Sequence, residues 1–97
     1  MAKYVVLINW TEQGVAGFKD SVDRYEAASA RMEAIGVRFE TAYWTLGAHD
    51  LVTIVDAPDD QTLAGGLLSV ASQGAIRTTS MRAFTGEEMR GVIANAG

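Results

Sequence analysis

The stretch that most limits how this chain can fold is its first apolar run, Lys3–Asn9 (KYVVLIN). Almost all of its residues are β-branched or apolar, which is typical of a β-strand. Successive side chains of a strand point to opposite faces of the sheet, and here both alternating sets are apolar. They are Tyr4, Val6 and Ile8 on one face and Val5 and Leu7 on the other. The pattern predicts a strand that is buried on both faces.

Strand and helix patterns alternate along the rest of the chain. Runs rich in β-branched and aromatic residues predict strands over Val37–Thr45, His49–Val55 and Ala75–Phe84. Apolar residues at three- and four-residue steps, together with capping residues, predict helices between them. These are a short turn over Glu12–Phe18, a helix from Asp20 or Ser21 to about Ile35, a helix from Pro58 to Gly74, and a short C-terminal helix that begins at a Thr85/Glu88 capping box.

The resulting order, β-α-β-β-α-β-α, is that of the split βαβ arrangement. We therefore predict an α+β, ferredoxin-like βαββαβ fold with a four-stranded antiparallel sheet, two main helices on one face and a short C-terminal helix. Those helices cover one face only, whereas the first and third strands are apolar on both. A large exposed apolar patch is rare on a soluble monomer. We expect oligomerisation, as a homo-dimer or higher assembly, to cover the second face.

Residue spacing also predicts details of the second helix and strand. The apolar stripe of the helix is predicted to be Phe18, Val22, Tyr25, Ser29, Met32 and Ile35, with ion pairs Lys19/Asp23 and Asp20/Arg24 on the other side. Gly36 is predicted to end the helix in the left-handed conformation. Strict alternation along the strand places Phe39, Thr41 and Tyr43 on one face and Ala42 and Trp44 on the other. Gly65-Gly66 in the third helix indicates a close approach of another element.

Length and composition bound the classes of function. The 97 residues, 48% of them hydrophobic, predict a single domain over residues 1–97. The net charge of −4 offers no basic surface for nucleic acid or for an anionic membrane, so neither is predicted as a partner. The N-terminal apolar run is too short to cross a bilayer. No cysteine is present, which excludes disulfides and thiolate chemistry and is compatible with the predicted cytoplasmic location.

Several short motifs follow one another in a specific order. They are Tyr4–Thr11, Gly14, Lys19–Ser21, Tyr43–Asp50, Ala57–Asp60, Arg77–Thr78 and Arg82–Thr85. In this series the chain resembles the GYD-domain family, small proteins of the dimeric α+β barrel (ferredoxin-like) group. It departs from the family at His49, where a tyrosine is usual. The resemblance implies the fold and a homo-oligomer but no reaction, because the fold group includes cofactor-free monooxygenases, lactone isomerases, haem-degrading enzymes and effector-binding modules.

His49-Asp50 is the most conspicuous polar pair, since His49 is the only histidine. A histidine can act as a general base or as a haem or metal ligand. Neighbouring strand residues point to opposite faces, so Asp50 is badly placed to orient His49, and one histidine is too few for a tetrahedral zinc site. We predict that His49 is a hairpin-end residue and that Asp50 bonds backbone. No cofactor or metal is predicted; catalysis by His49, or haem or metal binding through it, is the alternative.

Four further residues are candidates for ligand contact. They are Asn9, Trp10, Tyr43 and Arg77. Asn9 and Trp10 end the first strand, and Trp10, like Trp44, is an amphipathic aromatic of the kind found at pocket mouths and interfaces. The preferred prediction for Asn9 is a strand end and for Trp10 a core or interface residue, with ligand contact as the alternative. Arg77 lies on the opposite face from Arg82 if the last strand is regular. The preferred prediction for these arginines is a salt bridge at the rim with one of the 12 acids, and the alternative is binding of an anionic ligand.

The preferred hypothesis is a homo-oligomer that binds a small, partly apolar molecule, between sheet and helices or at the inter-subunit face. The residues predicted to contact it are Asn9, Trp10, Tyr43, His49 and Arg77. The alternatives are a cofactor-free oxygenase or isomerase with His49 as base, and a purely structural assembly module.

Overall fold

The computed structural model describes all 97 residues, which form four strands and four helices. The strands are β1 (Ala2–Trp10), β2 (Arg38–Trp44), β3 (Leu51–Ala57) and β4 (Ile76–Ala83). The helices are α1 (Glu12–Ala16), α2 (Ser21–Ala34), α3 (Asp60–Ala71) and α4 (Gly86–Asn95), with a 3-10 turn over Phe18–Asp20. No helix combines the length and apolar character that crossing a bilayer requires.

The sheet has the order β2-β3-β1-β4, and all neighbouring strands are antiparallel. In the central strand β1, Val6 lies between Thr53 of β3 and Ser80 of β4. The segment from β1 to β2 therefore passes β3, and the segment from β3 to β4 passes β1. This interleaved pair of crossovers defines the split βαβ arrangement. The predicted α+β, ferredoxin-like fold is confirmed.

Helices α2 and α3 pack on one face of the sheet, here called the covered face. Val6, Thr53 and Val55 are fully buried there, each with 0% of its surface exposed. The Thr53 hydroxyl donates to the Val6 carbonyl oxygen at 3.0 Å, which satisfies the buried polar group. The remaining core residues are Tyr4, Ile8, Met32, Val37, Leu51, Ala57, Leu63 and Leu67.

The other face, here called the open face, is apolar at its centre. Val5 lies opposite Ile54 and Leu7 opposite Val52, and these four side chains are only partly buried. Tyr43 (66% exposed) and Met81 (46% exposed) flank them on the edge strands. At one end Lys3 forms ion pairs with Glu40 (2.6 Å) and Asp56 (3.1 Å). Apolar residues thus occupy both faces, and the cover of the open face by a second copy stays a prediction.

A bulge in β2 overturns the predicted faces of that strand. The register against β3 shifts between Phe39 and Thr41, so that Glu40 is the extra residue. Beyond the bulge, Trp44 pairs on the covered face and Tyr43 on the open face. Phe39 and Trp44 therefore share one face. The prediction of strict alternation had placed them on opposite faces. It was wrong because the extra residue of the bulge reverses the faces of all residues that follow it.

Helix α2 is turned relative to its predicted stripe. Three residues of that stripe are about half exposed, namely Phe18 (56%), Val22 (53%) and Ile35 (47%). The more buried positions of α2 include Ser21, Tyr25, Ala28 and Met32. Ser21 faces the sheet because its Oγ accepts a hydrogen bond of 2.8 Å from Trp44 Nε1. Apolar residues occur both in the predicted stripe and in the observed one. The contact with β2 decides which of the two stripes faces the sheet.

Other local predictions are confirmed. Gly36 follows α2 with φ at +85°, in the left-handed region that favours glycine. Leu63 and Leu67 of α3 are buried, and Val70 packs against the core. The close approach predicted at the paired glycines occurs at Gly66, where an added Cβ would lie 2.5 Å from Met32 Sδ.

Helix α4 begins at the predicted capping box. Thr85 Oγ1 accepts from the Glu88 N–H at 3.1 Å, and the Glu88 carboxylate accepts from the Thr85 N–H at 2.9 Å. The helix has no buried residue, and Met89, Val92 and Ile93 are 44%, 38% and 61% exposed. α4 therefore presents an apolar stripe that no other element of the chain buries.

Candidate functional site

A cleft of about 140 Å³ lies on the covered side of the sheet, walled by α2 and α3. Eleven of its 15 lining residues are hydrophobic. Ile8 and Trp10 of β1 and Leu51 of β3 enter it from the sheet. A concave, mainly apolar site with a few polar groups is the usual form of a small-molecule site.

Helix α2 supplies one wall through residues spaced three and four apart. Ser21, Tyr25 and Ala28 repeat along one side of the helix, and the small side chain of Ala28 leaves open space. The Tyr25 ring lies 5.7 Å from the Phe39 ring and meets the Trp44 ring edge-on at 5.5 Å between centroids. Burial in this aromatic group raises the pKa of the Tyr25 phenol.

Two arginines of α2 also line the cleft. Arg24 Nη1 donates to the Gly17 carbonyl oxygen at 2.9 Å, and its Nη2 donates to that of Gly14 at 3.1 Å. The predicted Asp20/Arg24 ion pair is therefore wrong, because the guanidinium turns toward the end of α1 instead. The predicted Lys19/Asp23 pair is also not formed, since the ion pairs of the chain involve Lys3 and Arg82 only.

Helix α1 is fastened to the start of β4, beside the cleft. Thr11 caps α1 by accepting from the Gly14 N–H at 3.1 Å, and the Thr11 N–H donates to the Ala75 carbonyl oxygen at 3.1 Å. An added Cβ on Gly14 would lie 2.0 Å from that same oxygen. Only glycine permits this approach, which places Ala75 and Ile76 against the cleft.

The β2–β3 hairpin ends in a separate polar network. His49 Nδ1 lies 2.8 Å from Asn9 Oδ1, and Asn9 Nδ2 donates to the Ala48 carbonyl oxygen at 2.7 Å. Asp50 Oδ2 accepts from the Trp10 N–H at 2.8 Å. His49 and Asp50 precede β3 and lie in the loop, not in the strand as predicted. As predicted, Asp50 bonds backbone and does not orient His49, although the backbone is that of β1.

The sequence model of the GYD domain matches residues 4–93. This chain is a GYD-domain protein. The match confirms the resemblance drawn from the motifs.

Two proteins from Thermus thermophilus are similar to this GYD-domain protein, one in sequence and one in fold. One, the glutamine synthetase and cystathionine beta-lyase binding protein, is 31% identical over 85 residues, which are 87% of this chain and 90% of that protein. The other is the crystal structure of TTHA0845, with a TM-score of 0.57 and 22% identity over 89% of this chain and 96% of that chain. At this identity the second likeness bears on the fold alone.

The five predicted contact residues of this GYD-domain protein are not brought together in one site. Trp10 lines the cleft. Asn9 and His49 form the hairpin-end network, and Arg77 lies opposite Asn9 across the β1–β4 pair, on the open face. Tyr43 lies further along the open face. Arg82 pairs with Tyr4 and so takes the covered face, opposite to Arg77 as predicted.

The sequence interpretation missed the α2 wall of the cleft. Its polar members Ser21, Arg24 and Arg31 are spaced at three and seven residues, which places them on one side of a helix. The signal was available but was masked by the competing apolar spacing of Phe18 and Val22. No group of three or more His, Cys, Asp or Glu side chains is arranged to hold a metal ion.

Proposed function

We propose that this GYD-domain protein is a binding protein that holds a small, partly apolar molecule in the cleft between the sheet and α2. The observation that carries the proposal is the cleft itself, about 140 Å³ with mainly hydrophobic walls. Apolar walls favour an apolar ligand body, and the few polar side chains at the cleft orient it. Of the residues predicted from sequence, Trp10 contributes directly, whereas His49 belongs to the hairpin-end network.

Native mass spectrometry of the protein purified from its own host tests the proposal. We expect an added mass that is released on unfolding. The variant Ala28→Leu fills the cleft and is expected to lose this mass. Ala30→Leu makes the same change at an exposed position of α2 outside the cleft and is expected to retain it. A wild-type protein without added mass, or equal retention by both variants, contradicts the proposal.

We also infer that two copies associate through the open face. The four central apolar residues Val5, Leu7, Val52 and Ile54 are only partly buried although they lie on the two middle strands of the sheet. Two sheets that face each other pack about 10 Å apart. Size-exclusion chromatography with light scattering is expected to show a dimer or higher assembly. Val5→Glu should yield a monomer, and Val22→Glu, at an exposed site on α2, should not. A wild-type monomer, or the reverse order of the two variants, overturns this assembly.

A second candidate function is the binding of enzyme partners. It is favoured by the 31% identical relative, which is named a glutamine synthetase and cystathionine beta-lyase binding protein. The apolar stripe of α4 (Met89, Val92, Ile93) is the surface we assign to such a partner. Biolayer interferometry with the two purified enzymes of the same host is the test. We expect binding that Ile93→Glu weakens and Val15→Glu, on α1, does not; no binding to either enzyme rejects this candidate.

A further inference from the structure

The cleft carries positive charge that no acid of the chain neutralises. Two arginines, Arg24 and Arg31, line it, whereas none of the 12 Asp and Glu residues does. Neither arginine takes part in an ion pair. The cleft is therefore positively charged, although the protein as a whole has a net charge of −4.

Arg24 is held in a position suited to an anion. Its guanidinium is partly buried and donates to the carbonyl oxygens of Gly14 and Gly17. Carbonyl groups are neutral, so the guanidinium keeps its full charge, and its other N–H groups stay available to a ligand. Because two hydrogen bonds already fix the group, little side-chain entropy is lost when an anion binds.

Arg31 lies two turns further along α2, about 10 Å from Arg24 along the helix axis. It is exposed and donates to Ser69 Oγ of α3 at 2.9 Å, so it connects the two helices at the rim of the cleft. At that separation the two arginines do not both form hydrogen bonds with the same carboxylate. Arg31 instead adds to the positive potential that draws an anion toward the cleft.

The walls indicate the apolar part of the ligand. The aromatic residues Trp10, Tyr25 and Phe39 line a cleft of about 140 Å³, and an apolar cavity of about 150 Å³ accommodates a single benzene ring. We propose that the cleft binds an amphipathic carboxylate, with a body the size of one aromatic ring against these side chains and its carboxylate on Arg24. This inference rests on the proposed small-molecule function and adds the charge of the ligand to it.

Three small probes test the charge of the ligand, with isothermal titration calorimetry and the fluorescence of the two tryptophans, Trp10 and Trp44, as readouts. Phenylacetate has the ring and the charge, phenylacetamide has the ring alone, and acetate has the charge alone. We expect phenylacetate to bind the wild-type protein roughly tenfold more tightly than phenylacetamide. Acetate should show no measurable binding. Raising the salt concentration should weaken the binding of phenylacetate only.

Variants assign the effect to residues. Arg24→Gln is expected to weaken phenylacetate about tenfold, to the level of the amide, and Arg31→Gln about two- to threefold. Lys19→Gln removes one positive charge from an exposed residue outside the cleft and should leave both ring-bearing probes unchanged. Since Arg24→Gln also releases α1, its fold is checked by circular dichroism, and the comparison of probes on the wild type does not depend on it.

The outcomes separate this inference from the proposal beneath it. Equal affinity of the wild type for phenylacetate and phenylacetamide overturns the anionic ligand and leaves the cleft as an apolar site. An unchanged preference for phenylacetate in Arg24→Gln overturns the role of Arg24. If neither ring-bearing probe binds, the cleft is not a ligand site of this size, and the proposed function falls together with the inference.

Discussion

The two faces of the sheet are made by the same strands and differ in what covers them. Val55 and Val52 both belong to β3, yet Val55 is completely buried under the helices and Val52 is only partly buried on the open face. Both are apolar because side chains alternate along a strand that is apolar throughout. The covered face shows how far burial proceeds when cover is present. The open face shows an equally apolar surface on which the chain alone provides no such cover.

This contrast indicates different roles for the two sides. The covered face forms the core and, where the small residues of α2 leave space, the cleft. The open face carries apolar residues at its centre, and ion pairs and the hairpin-end network toward its ends. A ligand site on the first and an assembly surface on the second is the arrangement we propose.

The largest expected difference is between Val55→Ala and Val52→Ala, the same change on opposite faces of β3. Val55→Ala should lower the free energy of unfolding by about 2 to 3 kcal/mol, because it leaves a cavity in a packed core. Val52→Ala should cost about 1 kcal/mol or less in dilute protein, since its side chain is already partly hydrated. Urea denaturation at low protein concentration measures both. Equal losses would remove the contrast between the faces.

Neighbouring residues of β2 test the bulge. Trp44→Phe removes the N–H that donates to Ser21 and is expected to cost about 1 to 2 kcal/mol. Tyr43→Phe removes a hydroxyl from an exposed side chain and should change stability by less than about 0.5 kcal/mol. Thermal or urea unfolding of the two variants distinguishes them. A larger loss from Tyr43→Phe than from Trp44→Phe would favour strict alternation along β2 and contradict the bulge.

Acid is expected to loosen α4 before α3. Hydrogen bonds from the Thr85 backbone lower the pKa of Glu88, and those from Thr62 lower the pKa of Asp59. Because the pKa of each carboxyl is lowered in the folded protein, each ionised carboxylate stabilises its helix at pH values above the usual pKa values of 4.5 and 3.8. This stabilisation is lost as the pH falls through the lower pKa values of the folded state. Helix α3 keeps its packing through the buried residues Leu63 and Leu67, whereas no residue of α4 is buried.

Amide exchange or NMR between pH 5 and pH 3 measures which helix loosens first. This range extends about one unit to either side of the usual pKa values of carboxyl groups. The variant Glu88→Gln should flatten the pH dependence of α4 and leave that of α3 unchanged. Loss of α3 first would show that packing on the covered face does not protect the helix.

A small effect on stability, and none on ligand binding, is expected of His49→Ala. The imidazole bonds only the Asn9 side chain at the hairpin end, so stability should fall by about 0.5 to 1 kcal/mol. Phenylacetate binding to the cleft should be unchanged, because His49 does not line it. Titration calorimetry checks the second point. A loss of binding would return His49 to the ligand site and weaken the division between the two sides.

The helix ends that depend on neighbouring residues were predicted correctly, whereas the local Lys19/Asp23 ion pair was not. Gly36 ends α2 and the Thr85/Glu88 box starts α4, because both depend on residues a few positions apart. Features that depend on distant contacts were missed. Arg24 bonds carbonyls of a different helix, so its spacing from Asp20 suggested a partner that it does not take. The bulge at Glu40 left no local mark and changed the faces of Tyr43 and Trp44.

By itself, the sequence determined the order of the elements, the family and the apolar character of both faces of β1 and β3. Periodicity and capping are local properties, so they can be read without knowing what lies nearby. Only the tertiary structure decided how α2 turns against Trp44, where the cleft opens and which arginines line it. Those features depend on the packing of elements far apart in the chain, where several apolar stripes compete and only contact selects one.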